Sequence, residues 1–140
     1  MMAQKREKRL VWEWINKFHL TALKWRDARV GKIPEGQNPE LYASLRKYVD
    51  AIFFEDNVVN IVEAKIVPKA DAIMQILDYT KRFAETPDFE QYKDKQIRMI
   101  YLAAIEDPYI KDLCSEYNIE FIVWTPEWIK PYLREQGWKI

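Results

Sequence analysis

Three charged side chains near the middle of the chain, Asp50, Glu63 and Lys65, could act together on a phosphate group. Asp50 lies in one apolar run and the other two in the next, and the polar pair Asp56-Asn57 separates the runs. Runs rich in β-branched and aromatic residues around a short polar break predict a β-hairpin. Asp and Asn tolerate the left-handed backbone that a two-residue turn requires.

This turn fixes which residues face each other across the hairpin. If Asp56 and Asn57 are the two loop residues, Asp50 lies directly opposite Glu63, and Lys65 shares their face because side chains alternate along a strand. Two opposed carboxylates have β-carbons roughly 4.5–5.5 Å apart and destabilise each other. A divalent cation between them would remove this cost.

The same register distributes the apolar side chains over two faces, and both faces are mostly apolar. The hairpin is therefore predicted to lie inside a sheet rather than on its solvated surface. The face of Asp50 would also carry Ile52, Phe54, Val59 and Ile61, and the other face Val49, Ala51, Phe53, Val58, Val62, Ala64 and Ile66.

An Asp, an apolar strand and then Glu-x-Lys form a pattern that resembles the motif of the PD-(D/E)XK nuclease superfamily. Here the motif reads Val49-Asp50, then Glu63-Ala64-Lys65, without the proline that precedes the Asp in some members. Gln75-x-x-x-Tyr79 is similar to an element that many members carry on the following helix. The resemblance covers roughly residues 7–79, and by the order of elements it extends to about residue 124.

The resemblance implies a restriction-endonuclease-like fold and a Mg²⁺-dependent nuclease acting on DNA. Asp50, Glu63 and the backbone carbonyl of Ala64 would hold one or two ions, and ligands that are all oxygen suit Mg²⁺ or Mn²⁺ better than zinc. Lys65 would orient the attacking water and offset developing negative charge. Gln75 would position substrate or water.

Tyr79 lies one helical turn after Gln75 on the same face. It is either a substrate contact or a core tyrosine whose hydroxyl is satisfied.

The first predicted helix, residues 4–18, has an apolar stripe whose mean direction also passes through Glu7. In archaeal Holliday-junction resolvases the first helix supplies a glutamate to the metal site, and Glu7-Lys8-Arg9-Leu10 is similar to that arrangement. Glu7 would then be a further metal ligand; the alternative is a solvated residue at a frayed helix start. Lys8 and Arg9 are either phosphate contacts or solvated charges.

The first predicted strand, residues 21–30, contributes Arg26, which either contacts the DNA backbone or lies on a solvated edge. A Gly- and Pro-rich loop follows, then a short helix over residues 40–46 and the hairpin. Beyond the hairpin the pattern predicts helices over residues 69–84, 108–117 and 127–136, alternating with strands over 95–105 and 119–124. This order predicts a single α/β domain, residues 1–140, with a mixed sheet flanked by helices.

The composition limits the classes of function. Lys plus Arg and Asp plus Glu both number 22, and a net charge of zero argues mildly against tight nonspecific DNA binding. The single Cys excludes a disulfide within the chain and a Cys-based zinc site. The charged N-terminus and the absence of a long apolar run predict a cytoplasmic protein without a membrane segment.

Two further expectations follow from the resemblance. Dimerisation is common among resolvase-like relatives, so a homodimer is allowed. Because folds are reused, the alternative to a nuclease is a catalytically silent DNA-binding or structural module of the same fold.

Overall fold

The computed structural model describes residues 2–33, 36–38, 40 and 46–140. Within them the chain alternates between helices and strands after an initial helix and a run of three strands. The helices are α1 (Met2–Phe18), α2 (Asp71–Phe83), α3 (Pro108–Glu116) and α4 (Lys130–Glu135), and the strands are β1 (Leu23–Val30), β2 (Lys47–Glu55), β3 (Val58–Lys65), β4 (Gln96–Ala103) and β5 (Ile119–Val123). The short helix predicted for residues 40–46 falls almost entirely outside the described residues.

The strands form one sheet in the order β1-β2-β3-β4-β5. β2 pairs antiparallel with both β1 and β3, whereas β3 with β4 and β4 with β5 are parallel. The parallel pairs need crossover connections, which α2 and α3 provide. The predicted mixed sheet flanked by helices is confirmed.

The hairpin has the register that the turn predicts. Pairing runs from Glu55 opposite Val58 to Ala51 opposite Val62. Asp56 and Asn57 form the two-residue turn with φ of 53° and 66°, both left-handed. Two adjacent residues with positive φ match the right-handed twist of the flanking strands, so the turn aligns them without a bulge.

Helices cover the two faces of the sheet. On one side α1 packs its apolar stripe, including Leu10 and Ile15, against a cluster that contains Phe53 and Val62. On the other side Phe83 of α2 belongs to the cluster of Ile52, Val59 and Ile61. The apolar side chains in the middle of the hairpin are thus buried against a helix on one face or the other.

The face predicted for Val49 is wrong. Val49 lies in the same apolar cluster as Ile52 and Ala28, not with Ala51. The physical reason is an interruption one residue away. β1 and β2 pair at the positions before and after Asp27 and Asp50, but these two opposite residues do not pair with each other. Asp27 also has a φ of 51°. Asp50, between Val49 and Ala51, pairs in neither ladder, so the regular alternation of side chains along β2 breaks there.

Several predicted boundaries shift. β1 begins at Leu23 instead of residue 21, and α2 begins at Asp71 instead of residue 69. The last predicted helix divides into a 3₁₀ segment, Glu127–Ile129, and α4. Pro131 lies in the first turn of α4 and has no N–H to donate to the preceding turn, so a continuous α-helix cannot form there.

None of the helices in the described part of the chain combines the length and apolar character that a membrane crossing requires.

Candidate active site

A cavity of about 310 Å³ opens where α1 and α2 meet the end of the hairpin away from its turn. It gathers most of the side chains that the sequence singles out. Those lining it are Glu7, Lys8, Asp50, Glu63, Lys65, Gln75 and Tyr79. Three separate elements therefore bring these residues together: α1, the β2–β3 hairpin and α2.

Asp50 lies where backbone pairing between β2 and β3 stops. The regular ladder ends at Ala51 opposite Val62, and Asp50 follows as the next residue, opposite Glu63 in the same register. Its Oδ2 accepts a hydrogen bond from the backbone N–H of Ala64 at 2.9 Å. A side-chain carboxylate thus takes the place of a backbone carbonyl, and this bond fixes the carboxylate in the cavity wall.

Glu63 is almost fully buried, with 6% of its surface exposed. Its carboxyl group contacts that of Asp50 and accepts a hydrogen bond from the Tyr79 hydroxyl. Burial, followed by the contact with Asp50, raises the pKa of Glu63 far above its usual range. Without a cation, Glu63 therefore keeps its proton near neutral pH.

Tyr79 responds to the same environment. Burial and the adjacent Glu63 raise the pKa of its phenol, so the hydroxyl keeps its proton and acts as a donor. Both readings of Tyr79 from the sequence are compatible with this placement. It lines the cavity, and its hydroxyl is satisfied by Glu63.

Glu7 reaches the same cavity from the first helix. Burial raises the pKa of Glu7 to about 7, opposed by the nearby charge of Lys65 and reinforced by that of Asp50. An influence of both residues on Glu7 requires that α1 hold it close to the hairpin. Glu7 is thus not at a solvated, frayed end, although its role as a ligand stays a prediction.

Lys65 and Gln75 complete the predicted set. Lys65 is half-buried at the last position of β3, two residues beyond Glu63. Gln75 lies on α2 one turn before Tyr79, and its side chain lines the same wall. Catalytic roles for both stay predictions.

The loop between β3 and α2 is fixed by Tyr101, a fully buried residue of β4. The Tyr101 hydroxyl donates to the carbonyl of Lys69 at 2.8 Å and accepts from the N–H of Lys69 at 2.6 Å. In the β3–β4 register Tyr101 lies opposite Glu63. The strand behind the acidic pair thus also determines where α2 begins.

Two predicted substrate contacts do not reach the cavity. Arg9 lies on the far side of α1, over the ring of Trp128. Arg26 lies near the ring of Trp12 and lines a different depression beside β1. Their binding of DNA stays a prediction, but neither can act from within the cavity.

Asp27 is a cavity residue that the sequence did not indicate. It lines the cavity from β1, lies opposite Asp50 in the β1–β2 register and forms an ion pair with Lys8 at 3.2 Å. Its left-handed backbone, φ 51°, is uncommon for a residue inside a strand. The signal that could have found it is the β1–β2 pairing, which places it next to Asp50.

Tyr48 of β2 also lines the cavity and was not singled out. Its hydroxyl accepts a hydrogen bond from Arg29 Nε at 2.6 Å, which places a guanidinium group beside the cavity rim.

The donor set suits a hard divalent cation in chemical type, because all the candidate ligands are oxygens. Asp50 and Glu63 supply two carboxyl groups in contact, and the raised pKa of Glu63 reflects first its burial and then the adjacent Asp50. Across the described residues, however, no three His, Cys, Asp or Glu side chains already converge as a metal site. Further ligands would have to come from backbone oxygen, water or a movement of Glu7 or Asp27.

No family model and no curated protein matches this chain. Among solved structures, it is similar to a repair endonuclease from Pyrococcus abyssi, with a TM-score of 0.55, 16% identity and coverage of 85% of this chain and 47% of that one. It is also similar to EndoMS in a complex with double-stranded DNA, with a TM-score of 0.51, 16% identity and coverage of 86% and 45%.

The chain thus spans about half the length of either structure. At this level of identity the similarity concerns the fold alone. The protein shares a fold with these two endonuclease structures.

Proposed function

We propose that this protein is a divalent-metal-dependent nuclease that hydrolyses phosphodiester bonds in DNA and belongs to the PD-(D/E)XK superfamily. One observation carries the proposal. The carboxyl groups of Asp50 and Glu63 are in contact at an interrupted strand pair, and Lys65 lines the same cavity. Burying two carboxyl groups in contact costs free energy of folding unless the pair binds a charged ligand.

Each residue has a defined task in this reaction. Asp50 and Glu63 would hold Mg²⁺ or Mn²⁺, which on binding supplies a more acidic water and relief of phosphate charge. Lys65 places a positive charge beside the position of the phosphate, where it stabilises the negative charge that develops in the transition state. Lys65 also donates hydrogen bonds that orient the attacking water.

The supporting contacts keep this geometry fixed. The Ala64 N–H holds Asp50, and the Tyr79 hydroxyl holds Glu63. Rigid hydrogen bonds to catalytic groups lower the reorganisation needed during reaction. Gln75, on the wall formed by α2, is placed to hydrogen-bond a substrate oxygen or a water.

DNA as the substrate is supported by the shared fold. One of the similar structures is a repair endonuclease and the other is bound to double-stranded DNA. Action on DNA inside the cell, one or two bound ions and a homodimer belong to the same proposal.

The alternative, a catalytically silent DNA-binding or structural module, has two observations in its favour. The described residues contain no ready group of three metal-ligating side chains. In addition, Lys8 already pairs with Asp27 inside the cavity. A silent module would bind DNA with or without a divalent ion and would leave it intact.

A cleavage assay on circular, linear and branched DNAs tests the proposal. Wild-type protein should cleave at least one of these with Mg²⁺ or Mn²⁺ and none with EDTA. The Asp50→Asn/Glu63→Gln variant, which keeps side-chain shape while removing both charges, should be inactive. Binding without cleavage under every divalent ion would establish the silent module instead.

A further inference from the structure

The cavity that contains Asp50 and Glu63 is called the acidic cleft below. A second cavity, of about 420 Å³, lies on the other side of α1 from it. The first turns of α1 form one wall and the C-terminal segment around α4 forms the other. Its chemically important lining residues are Lys5, Arg6, Arg9, Trp128, Tyr132 and Glu135. We refer to these six residues as the arginine groove.

Two guanidinium groups stack on two aromatic rings inside the groove. Arg6 Cζ lies 3.8 Å from the centre of the Tyr132 ring, and Arg9 Cζ lies 4.0 Å from that of Trp128. The arginines are three residues apart on α1 and the rings four apart near α4, so the two stacks lie side by side. Both distances are well inside the limit of about 6 Å for a cation–π interaction.

Stacking leaves the edges of a guanidinium group available for hydrogen bonds. Glu13 uses one edge of Arg9, and its other oxygen accepts from Trp128 Nε1 at 3.1 Å. Among the ion pairs and side-chain hydrogen bonds of the described residues, none involves Arg6. Planar N–H groups held at fixed positions are the preferred donors for phosphate oxygens.

The charge of the groove favours an anionic partner. Three cationic side chains line it against the single carboxylate of Glu135, and Glu13 partly neutralises Arg9. The groove also differs from the cleft, where four carboxylates meet two lysines. The groove has this excess of positive charge although the whole chain has a net charge of zero.

The cleft and the groove flank the same helix. At about 100° per residue, the mean direction of Arg6 and Arg9 is opposite to that of Glu7 and Lys8 on α1, and Lys5 lies between the two sides. A helix with its side chains is about 10–12 Å wide. A single strand is more extended than a strand of a duplex, in which phosphates are spaced by about 3.4 Å of helix axis, so a strand that crosses α1 spans only a few nucleotides between the cleft and the groove.

We infer that the arginine groove binds the phosphates of a single-stranded DNA segment a few nucleotides from the bond held in the cleft. The inference rests on the proposed nuclease function for the identity of the strand. It adds a second phosphate-binding surface and, with it, a preference for substrates that have an unpaired tail. A single strand fits better than a duplex because it can bend over the ridge of α1.

The first test uses wild-type protein and needs no catalysis. Affinity is measured in EDTA by fluorescence anisotropy for duplexes with 5′ or 3′ single-stranded tails of one to eight nucleotides. Affinity should increase in a step at a tail length of a few nucleotides for one of the two polarities. A smooth dependence on tail length for both polarities overturns the inference.

The second test removes the two guanidinium groups with Arg6→Gln/Arg9→Gln. The tail-length step should disappear, and the slope of log K against log salt should decrease by about 1.4, or about 0.7 for each lost contact with a single strand. The matched control is Lys81→Gln/Lys111→Gln, which removes two exposed cations elsewhere and should change neither quantity. An unchanged slope in the arginine variant identifies the stacks as a structural tether between α1 and α4.

A thermal melt shows whether the arginine variant is folded. If it is not, Lys5→Gln replaces it, because Lys5 is exposed and stacks on neither ring. Lys5→Gln should lower the slope of log K against log salt by about 0.7, and an unchanged slope overturns the inference. Because all binding is measured in EDTA, failure of the nuclease proposal appears separately, as normal binding without cleavage when Mg²⁺ is restored.

Discussion

The two ends of the β2–β3 hairpin have opposite characters. At the turn, every residue from Glu55 to Ala51 pairs with its partner, and Ile52, Phe53 and Ile61 have no exposed surface. At the other end, Asp50 has a regular backbone pair in neither the β1–β2 nor the β2–β3 register. One hairpin therefore serves as a fully paired core at one end and as a polar cavity wall at the other.

The difference shows how a buried acidic pair can be tolerated. Fully burying one large apolar side chain contributes about 1.5–3 kcal/mol. Three such residues at the turn end therefore offset several kcal/mol of unfavourable electrostatics at the other end. Where the backbone ladder stops, side chains take over the hydrogen bonding, as the bond from the Ala64 N–H to Asp50 shows.

Substitution of Lys65 should give the largest effect at the polar end. Lys65→Ala should reduce the rate of DNA cleavage by on the order of 10²–10³, because one preorganised electrostatic group is lost from the transition state. Lys65 lies at the last position of β3 and is only half-buried, so the fold should survive. Single-turnover cleavage at fixed salt and Mg²⁺ measures the change.

The control for this substitution is Lys111→Ala, an exposed lysine of α3. It should cleave at the wild-type rate. If Lys65→Ala also does so, the cavity is not where the reaction occurs.

Divalent ions should stabilise the polar end specifically. At 100 times Kd, Mg²⁺ or Mn²⁺ should add about 2.7 kcal/mol, which corresponds to on the order of 10 °C in Tm for a chain of this length. Asp50→Asn should abolish the response, because one of the two carboxylate ligands is lost. An undiminished response in Asp50→Asn would place the ion elsewhere.

The pH dependence of folding stability should also come from the polar end of the hairpin. Burial raises the folded-state pKa of Glu7 from 4.5 to about 7, so between these values the folded state retains a proton that the unfolded state has lost. The associated stabilisation is present at low pH and is lost as pH rises through this window. Glu63, also raised, extends the loss to higher pH.

Thermal melts of metal-free protein from pH 4.5 to 8 measure this dependence. Tm should fall with rising pH, and Glu7→Gln should fall less steeply between pH 4.5 and 7. A Glu7→Gln profile that parallels the wild type would show that Glu7 is solvated.

The smallest expected effect concerns Asp27, where the pairing between β1 and β2 is interrupted. Asp27 has a φ of 51°, where glycine carries no steric cost, so Asp27→Gly should be close to neutral in stability. The loss of its exposed ion pair with Lys8 is worth roughly 0–1 kcal/mol. Arg26→Gly, one position earlier in ordinary strand conformation, should destabilise by roughly 0.5–1 kcal/mol.

Urea denaturation of the two glycine variants makes the comparison. Equal destabilisation would mean that β1 does not require a left-handed backbone at Asp27.

Local signals predict the hairpin and its acidic pair well. The turn residues Asp56 and Asn57 are adjacent in sequence, and their conformation alone sets the register that brings Asp50 to Glu63. The phase of α1 likewise places Glu7 towards the cavity. In each case the prediction depends on spacing within one element or across a two-residue loop.

The residues that sequence reasoning misplaced depend on long-range contacts. Asp27 is found only when the β1–β2 register is known, and residues 31–46 separate these strands in the sequence. The phase of α1 turns Arg9 away from the cavity, but its partner there, Trp128, lies far along the chain. No local pattern encodes such a partner, so the acidic motif is predictable and its surroundings are not.

Tyr101 has a consequence for how the cleft behaves over time. Its hydroxyl makes two hydrogen bonds to the backbone of Lys69, a residue outside every helix and strand. Amide hydrogens of ordinary loops exchange with solvent through small local openings, whereas those bonded to core groups wait for larger ones. The Lys69 amide should therefore exchange as slowly as the amides of β4, and the wall that carries Gln75 and Tyr79 persists between encounters with a ligand.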